Sequence, residues 1–326
     1  MAEPIVVPLD GSGFAEEALG PATQIAVKLY EPVELTLVHA PSPMLADVPG
    51  AGLGLDAEVR ADERIYLEKV AQRLSDEMGV SARTAILDGP VASTLIEHTR
   101  DRNAHLVVMT THGRGGMSRV FLGSVADRLI RELHCPLLLL HSGTPLAVPR
   151  PGDRRRILVP LDGSSLAESV IDQVLAVFGQ ELRVDLVQVV EPQHDIFVGN
   201  DAPLAAPTAM EQSLMAANRY LQAIAVRLLR LGLEVHTEVR VDQSVAHAIL
   251  EAAGICRSQL IAIATRGLSG IERLLLGSVA DKLVRSTHIP LLVWNPPARA
   301  SSEVLLSSVG AGAEMPYLSV AAEAHP

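Results

Sequence analysis

Short apolar runs alternate along the chain with longer stretches in which apolar residues recur every three or four positions. The first run, Ile5–Leu9, ends at the turn residues Asp10 and Gly11, as buried parallel strands do. The stretch behind it carries apolar residues at helical spacing, namely Ala18, Ala22, Ile25, Ala26 and Leu29. Strands that alternate with helices in this way predict a parallel sheet covered by helices on both faces.

The same two patterns locate the other elements of the first half. They predict strands at residues 35–39, 81–87, 106–109 and 136–140. They predict helices at residues 18–29, 67–78, 93–100 and 124–132. Residues 41–54 are rich in Pro and Gly and lack periodicity, so we expect a long loop that could act as a lid. In the second half, residues 235–241 alternate with a period of two, which predicts a half-exposed strand.

The chain repeats itself. The segment at residues 5–12 returns at 157–164, with an offset of 162 − 10 = 152. The segment at 123–127 returns at 277–281, with an offset of 277 − 123 = 154. An offset so constant over more than a hundred residues indicates a duplicated domain. We therefore predict one domain at residues 1–142, a linker at 143–153, a second domain at 154–297 and a mobile tail at 298–326.

Charge and composition restrict the partners. Twenty-seven basic and 38 acidic residues give a net charge of −11, which argues against nucleic acid and against an anionic membrane surface. No stretch reaches the ~18 uncharged apolar residues that a helix needs to span a bilayer, and the first residues do not resemble a signal peptide. Two cysteines without metal or CxxC spacing favour a reducing, cytoplasmic location.

Small and acidic residues follow the strands at the edge where an open α/β sheet binds its ligand. Asp10 follows strand one, and a glycine-bearing loop from Gly113 to Gly123 follows strand four. The helix that begins at Ser124 offers free N–H groups to a phosphate. These residues favour a nucleotide with its base near Asp10 and its phosphates near Gly113, Gly123 and Ser124. The alternative is that residues 124–127 are a capping box in a helix that binds nothing.

Other chemistry is not supported by the spacing. There is no GxxxxGK[ST] motif, and Glu16 occupies the third glycine position of a GxGxxG motif. No GxSxG elbow, HxGH or SGGxDS motif is present, which argues against hydrolases, nucleotidyl transferases and ATP pyrophosphatases. His134, its counterpart His288 and Cys135 precede the last strands, where we interpret them as structural. We expect no catalytic residue and no protein-bound metal.

With these motifs in view, the chain resembles a tandem universal stress protein over residues 3–141 and 155–295. The ATP-binding pattern of that family is G-x2-G-x9-G-[S/T], and both halves match it from its second glycine onward. The first glycine is replaced by Thr110 in one half and by Ala264 in the other. The resemblance assigns the nucleotide to Asp10, Ala40, Gly113, Gly123, Ser124 and Val125, and to Asp162, Val189, Gly267, Gly277, Ser278 and Val279.

The resemblance also implies a fold and a function. Each half would be a Rossmann-like three-layer domain with five parallel strands in the order 3-2-1-4-5. The two halves would pair through their last strands, residues 136–140 and 290–294, because apolar edge strands are normally covered. The protein would bind ATP, with Mg²⁺ as an optional companion, and act in stress regulation as at most a weak ATPase. A nucleotide-free scaffold for another protein, and further association into a homodimer, stay open.

Overall fold

The computed structural model describes residues 3–29, 32–39, 52–111, 122–141, 143, 146–147, 149, 152–192, 208–265 and 276–296. Residues 3–141 contain five strands and five helices, and residues 152–296 contain five strands and four helices, within that part. The first set is β1 (Ile5–Leu9), α1 (Gly13–Glu16), α2 (Leu19–Leu29), β2 (Val33–His39), α3 (Gly52–Met78), β3 (Ala82–Asp88), α4 (Val91–Asp101), β4 (Leu106–Thr110), α5 (Ser124–Glu132) and β5 (Leu137–Leu140).

The second set repeats this order without the short helix α1. It consists of β6 (Arg155–Pro160), α6 (Ser165–Phe178), β7 (Leu182–Val190), α7 (Ala209–Arg230), β8 (Glu234–Val241), α8 (Val245–Ile255), β9 (Leu260–Ala264), α9 (Ser278–Ser286) and β10 (Leu291–Trp294). The alternation of strands and helices expected from the periodicity is therefore confirmed.

All ten strands form one sheet in the order β3-β2-β1-β4-β5-β10-β9-β6-β7-β8. Each half contributes five parallel strands in the order 3-2-1-4-5, as the resemblance implied. The sheet is larger than the two separate sheets of the prediction because β5 and β10 pair antiparallel and join the halves. The pairing of the halves through their last strands is thus confirmed.

Two layers of helices cover this sheet and bury its apolar residues on both faces. One core lies beneath α1, α2, α3, α6 and α7 and includes Ile5, Leu67, Val170 and Leu221. The other lies beneath α4, α5, α8 and α9 and includes Leu95, Leu129, Ile249 and Leu283. Strands buried on both faces are nearly continuous apolar runs, which explains the short apolar segments of the sequence.

Several boundaries differ from the expected ones. The helix expected at residues 67–78 begins at Gly52, so the end of the expected loop at 41–54 is helical, and residues 40–51 lie outside the described part. The helix expected at 18–29 is α2, and the short helix α1 that precedes it was not expected. The domain boundaries at 142, 153 and 297 stay predictions, and the tail at 298–326 lies outside the described residues.

Candidate functional site

The turn after the first strand of each half is built by an Asp-Gly-Ser sequence. Oδ1 of Asp162 accepts hydrogen bonds from the backbone N–H of Ser164 at 3.0 Å and from its hydroxyl at 2.6 Å. The hydroxyl oxygen of Ser164 in turn accepts the N–H of Ala167 at 3.1 Å and caps α6. Gly163 adopts a φ of +89°, a conformation that favours glycine. The turn thereby fixes the Asp162 carboxylate at the carboxyl edge of the sheet.

A cavity of about 340 Å³ opens at this edge in the second half. It lies between the ends of β6 and β9, where the strand order reverses and where α/β folds bind ligands. Its volume is within the range of roughly 300–1,000 Å³ usual for small-molecule sites. The residues that line it are Pro160, Leu161, Asp162, Ala167, Val187, Gln188, Val189, Glu191, Val245, Ile249, Ile263, Ala264, Thr265, Gly277, Ser278, Val279, Ala280 and Leu283.

Five of the six residues that the sequence assigned to the second half's nucleotide are among this lining. They are Asp162, Val189, Gly277, Ser278 and Val279. The sixth, Gly267, lies outside the described residues. Residues from three different segments of the chain, the first and last more than a hundred positions apart, therefore meet around one cavity. Whether they hold a nucleotide is taken up below as a proposal.

The N-terminus of helix α9 forms part of the cavity wall. Its N-cap is Gly277, and no side chain of the described residues caps it. The first N–H groups of a helix have no intrahelical acceptor, so those of Ser278 and Val279 can bind an anion. The N–H of Gly277 itself is bound to the carbonyl of Thr265 at 3.0 Å. A Cβ on Gly277 would lie 3.1 Å from that oxygen, so this glycine permits a close approach of two backbones.

The first half repeats these features where it is described. Oδ1 of Asp10 accepts from the N–H of Ser12 at 2.9 Å, and Gly11 has a φ of +78°. Helix α5 begins at Gly123 without a side-chain cap, so the N–H groups of Ser124 and Val125 are placed like those of α9. The other two residues assigned to this half's nucleotide, Ala40 and Gly113, lie outside the described residues.

The capping-box interpretation of residues 124–127 is wrong. Gly123, not Ser124, is the N-cap of α5, so the Ser124 side chain is one position too far into the helix. The Asp127 carboxylate does not fold back onto the N-cap and instead binds Arg131, with its Oδ2 3.1 Å from Nε. Among the described residues, no side chain caps the N-terminus of α5.

The strand register separates two positions that the resemblance treated as equivalent. In the first half Pro8 pairs with Thr36, and in the second half Pro160 pairs with Val187. Counting onward, Val189 corresponds to Val38, whereas the counterpart of Ala40 is Glu191. The assigned residues Ala40 and Val189 are therefore not equivalent: they stand two positions apart, counted along the second strand. Val189 and Glu191 both line the cavity.

The two departures from the family's glycine pattern lie at the ends of strands. Thr110 is the last residue of β4 and is buried. Ala264 is the last residue of β9, and it lines the cavity. The cavity therefore forms with the methyl group of Ala264 already present, and this departure does not close it.

Sequence reasoning missed Thr265, which lines the cavity and is 3% exposed. Its carbonyl oxygen holds Gly277, and its hydroxyl donates to Oδ1 of Asn295 at 3.0 Å. A signal was present, because a threonine stands directly after the fourth strand in both halves, at Thr111 and Thr265.

His134 and Cys135 have surroundings that fit a structural role. His134 lies 2.6 Å from the guanidinium of Arg100, and burial together with that charge lowers its pKa. Burial raises the pKa of the Cys135 thiol to about 12. Among the residues that the structure describes, no group of three His, Cys, Asp or Glu side chains could hold a metal ion. No helix in that same part of the chain is long and apolar enough to cross a membrane.

Known proteins resemble this chain over most of its length or over one half. A universal stress protein from Mycolicibacterium smegmatis is 27% identical over 305 residues, covering 90% of this chain and 97% of the relative. The universal stress protein MJ0531 from Methanocaldococcus jannaschii is 34% identical over 136 residues, covering 42% of this chain and 80% of the relative.

Among solved structures, a universal stress protein from Archaeoglobus fulgidus aligns with 90% of this chain and 98% of its own, at a TM-score of 0.63 and 18% identity. That likeness supports the fold. The sequence model of the universal stress protein family matches residues 1–141 and again residues 153–295. With two matched segments, one in each half of the ten-stranded sheet, the chain belongs to the universal stress protein family as a tandem member.

Proposed function

We propose that this protein binds ATP, at one site in each half, and acts as a stress-response regulator or sensor without efficient catalysis. The observation that carries the proposal is the cavity of the second half, which combines apolar walls, the fixed Asp162 carboxylate and the open N-terminus of α9. These are the three chemical environments that a base, a ribose and a phosphate chain require.

The residues present fit an adenine nucleotide. Val187, Val189 and Ile263 offer apolar surface to a flat base, and the main chain at Val189 offers it hydrogen-bonding groups. Asp162 would accept a hydrogen bond from a ribose hydroxyl. The N–H groups of Ser278 and Val279, together with the positive end of the α9 dipole, would hold the phosphates.

The described groups around the cavity support a regulatory rather than a catalytic role. Phosphoryl transfer requires cations that stabilise the developing charge and a residue that positions the nucleophile. In the described lining, no lysine or arginine is present, and the acids are Asp162 and Glu191. Oδ1 of Asp162 is already engaged by two hydrogen bonds within its own turn. Hydrolysis would therefore be weak.

The second candidate is a nucleotide-free scaffold that binds another protein. This candidate is favoured by Thr110 and Ala264, which replace the first glycine of the family's ATP-binding pattern. Each adds a side chain at the end of a strand, beside the residues that would bind phosphate. The two candidates differ in one measurable property, which is bound nucleotide.

Acid extraction of the purified protein followed by ATP calorimetry separates them. The wild type should bind two ATP per chain, and Ser278→Asp should bind one, because a carboxylate at the N-terminus of α9 repels the phosphates. Ser286→Asp, at the opposite end of the same helix, is the matched control and should still bind two. No extracted nucleotide and no heat at millimolar ATP would establish the scaffold instead.

A further inference from the structure

The junction of the halves has a local two-fold symmetry. Leu138 and Leu292 are equivalent by the repeat offset of 292 − 138 = 154, and they face each other where β5 and β10 pair. Each strand therefore runs past the other, and the residue that follows it contacts the opposite half in or just after its last helix. After β10 this residue is Asn295.

Asn295 bridges the two halves through its side-chain amide. Its Oδ1 accepts the hydroxyl of Thr265 at 3.0 Å, and its Nδ2 donates to the carbonyl oxygen of Arg131 at 2.6 Å. A carbonyl can only accept, so the NH₂ group must face Arg131, which fixes the orientation of the amide. Arg131 lies in the last turn of α5, where backbone carbonyls lack helical partners.

Each end of this bridge continues to a candidate phosphate site. On one side the carbonyl of Thr265 holds the N–H of Gly277, the N-cap of α9, at 3.0 Å. On the other side, α5 is a nine-residue helix whose N-cap is Gly123. The guanidinium of Arg131 binds Asp127 in the first turn of α5, and the N–H of Asp127 binds the carbonyl of Gly123 at 2.9 Å. Hydrogen bonds that alternate with the covalent bonds of Thr265, Asn295, Arg131 and Asp127 thus connect Gly277 to Gly123.

We propose that Asn295 is a positioning residue that couples the two nucleotide sites of the chain; this rests on the proposed function. An anion at the N-terminus of α9 restrains Gly277 and Thr265, and Asn295 passes that restraint to the end of α5. Because a short helix moves as a rigid body, a displacement of α5 at Arg131 also displaces its N-terminus at Gly123. Couplings of this kind change affinity by roughly 5-fold or more.

The equivalent residue of the first half is different. It is His141, whose ring meets that of His288 edge-on, with 6.3 Å between the centroids. His288 follows the end of α9, so the two halves reach across the junction with different side chains. A substitution of Asn295 therefore alters one link and leaves the other in place.

The test compares the ATP dissociation constant of the first site in the wild type, whose second site can fill, with that in Ser278→Asp protein, in which the second site is blocked. The two constants should differ by about 5-fold or more. Adding Asn295→Ala to both proteins should abolish that difference. Asn295→Asp keeps the acceptor for Thr265 and loses the donor to Arg131, so it should have the same effect. Lys28→Met is the matched control, since Lys28 also donates across the halves, to the carbonyl of Phe178 at 2.6 Å. It should leave the difference unchanged.

Hydrogen exchange without ATP provides an independent readout. Amides of α5 should exchange faster in Asn295→Ala than in the wild type or in Lys28→Met. Unchanged exchange in α5 overturns the link itself. Equal dissociation constants in the wild type and Ser278→Asp protein, or a difference that survives Asn295→Ala, overturn the coupling. Absence of ATP binding in the wild type is a different result, which overturns the proposed function and with it the coupling of nucleotide sites.

Discussion

A buried charge cluster beneath α4 yields the sharpest expectation for stability. The carboxylate of Glu34, the second residue of strand β2, is 3% exposed. It accepts hydrogen bonds from Nε and Nη2 of Arg102, at 3.1 and 2.6 Å, and pairs with His98. Burial alone would raise the pKa of Glu34, but the bonds from His98 and Arg102 outweigh it and lower that pKa.

The substitution Arg102→Met removes two charge-assisted hydrogen bonds and leaves the carboxylate buried. Loss of one partner from a buried pair costs roughly 3–5 kcal/mol when both groups are dry. The Arg102 side chain is 40% exposed, so water replaces part of the interaction, and we expect about 2 kcal/mol. In a Glu34→Leu background the same substitution should cost less than about 0.5 kcal/mol, because no buried charge is left behind.

Urea unfolding at several pH values measures these terms. Because the folded pKa of Glu34 is lowered, its contribution is fully present above the unfolded pKa near 4.5 and is lost as the pH falls through the folded value. The difference between the wild type and Arg102→Met should therefore be largest at neutral pH and shrink in acid. Equal stabilities at pH 7, or a difference that grows in acid, would refute the reasoning.

Three further outcomes are expected. Gly163→Ala should destabilise the protein by about 1 kcal/mol in thermal unfolding, because Gly163 has a φ of +89°. The control Gly13→Ala should not, since Gly13 lies in α1 with open space around it. Ser164→Ala removes the cap of α6 and should cost about 1 kcal/mol in urea unfolding, and Ser244→Ala less, since Ser244 makes no side-chain cap bond at α8. Cys135, with a pKa of about 12, should resist iodoacetamide at pH 8 until urea is added, as mass spectrometry will show.

The repeat and the hydrophobic periodicity were sufficient to predict the strands and all helices but α1. Each rests on many residues at once, so an error at one position changes little. The pairing of the last strands was expected from two short apolar runs at a sheet edge and from the family resemblance. Its antiparallel direction and the register of Leu138 with Leu292 came from the structure.

The details of the site depended on single residues and were less predictable. The offset between the halves is 152 at Asp162, 151 at Val189 and 154 at Gly277, so only the strand register could show that Val189 matches Val38. Helix α5 begins one residue earlier than a capping box requires, a distinction that local sequence does not resolve. The partners of Glu34 are 64 and 68 positions away, and contacts at that distance are set by packing.

The covalent connection between the halves changes what the central β5–β10 pairing means for the protein in the cell. Two separate chains joined in this way would come apart on dilution, by mass action. Within one chain the partner strand is present at an effective concentration on the order of millimolar, whatever the expression level. Within one chain the two strands of the junction need not be identical, so equivalent positions in the two halves can come to hold different residues. His141 and Asn295 now differ at equivalent positions, and one polypeptide can carry two unequal sites in a fixed ratio.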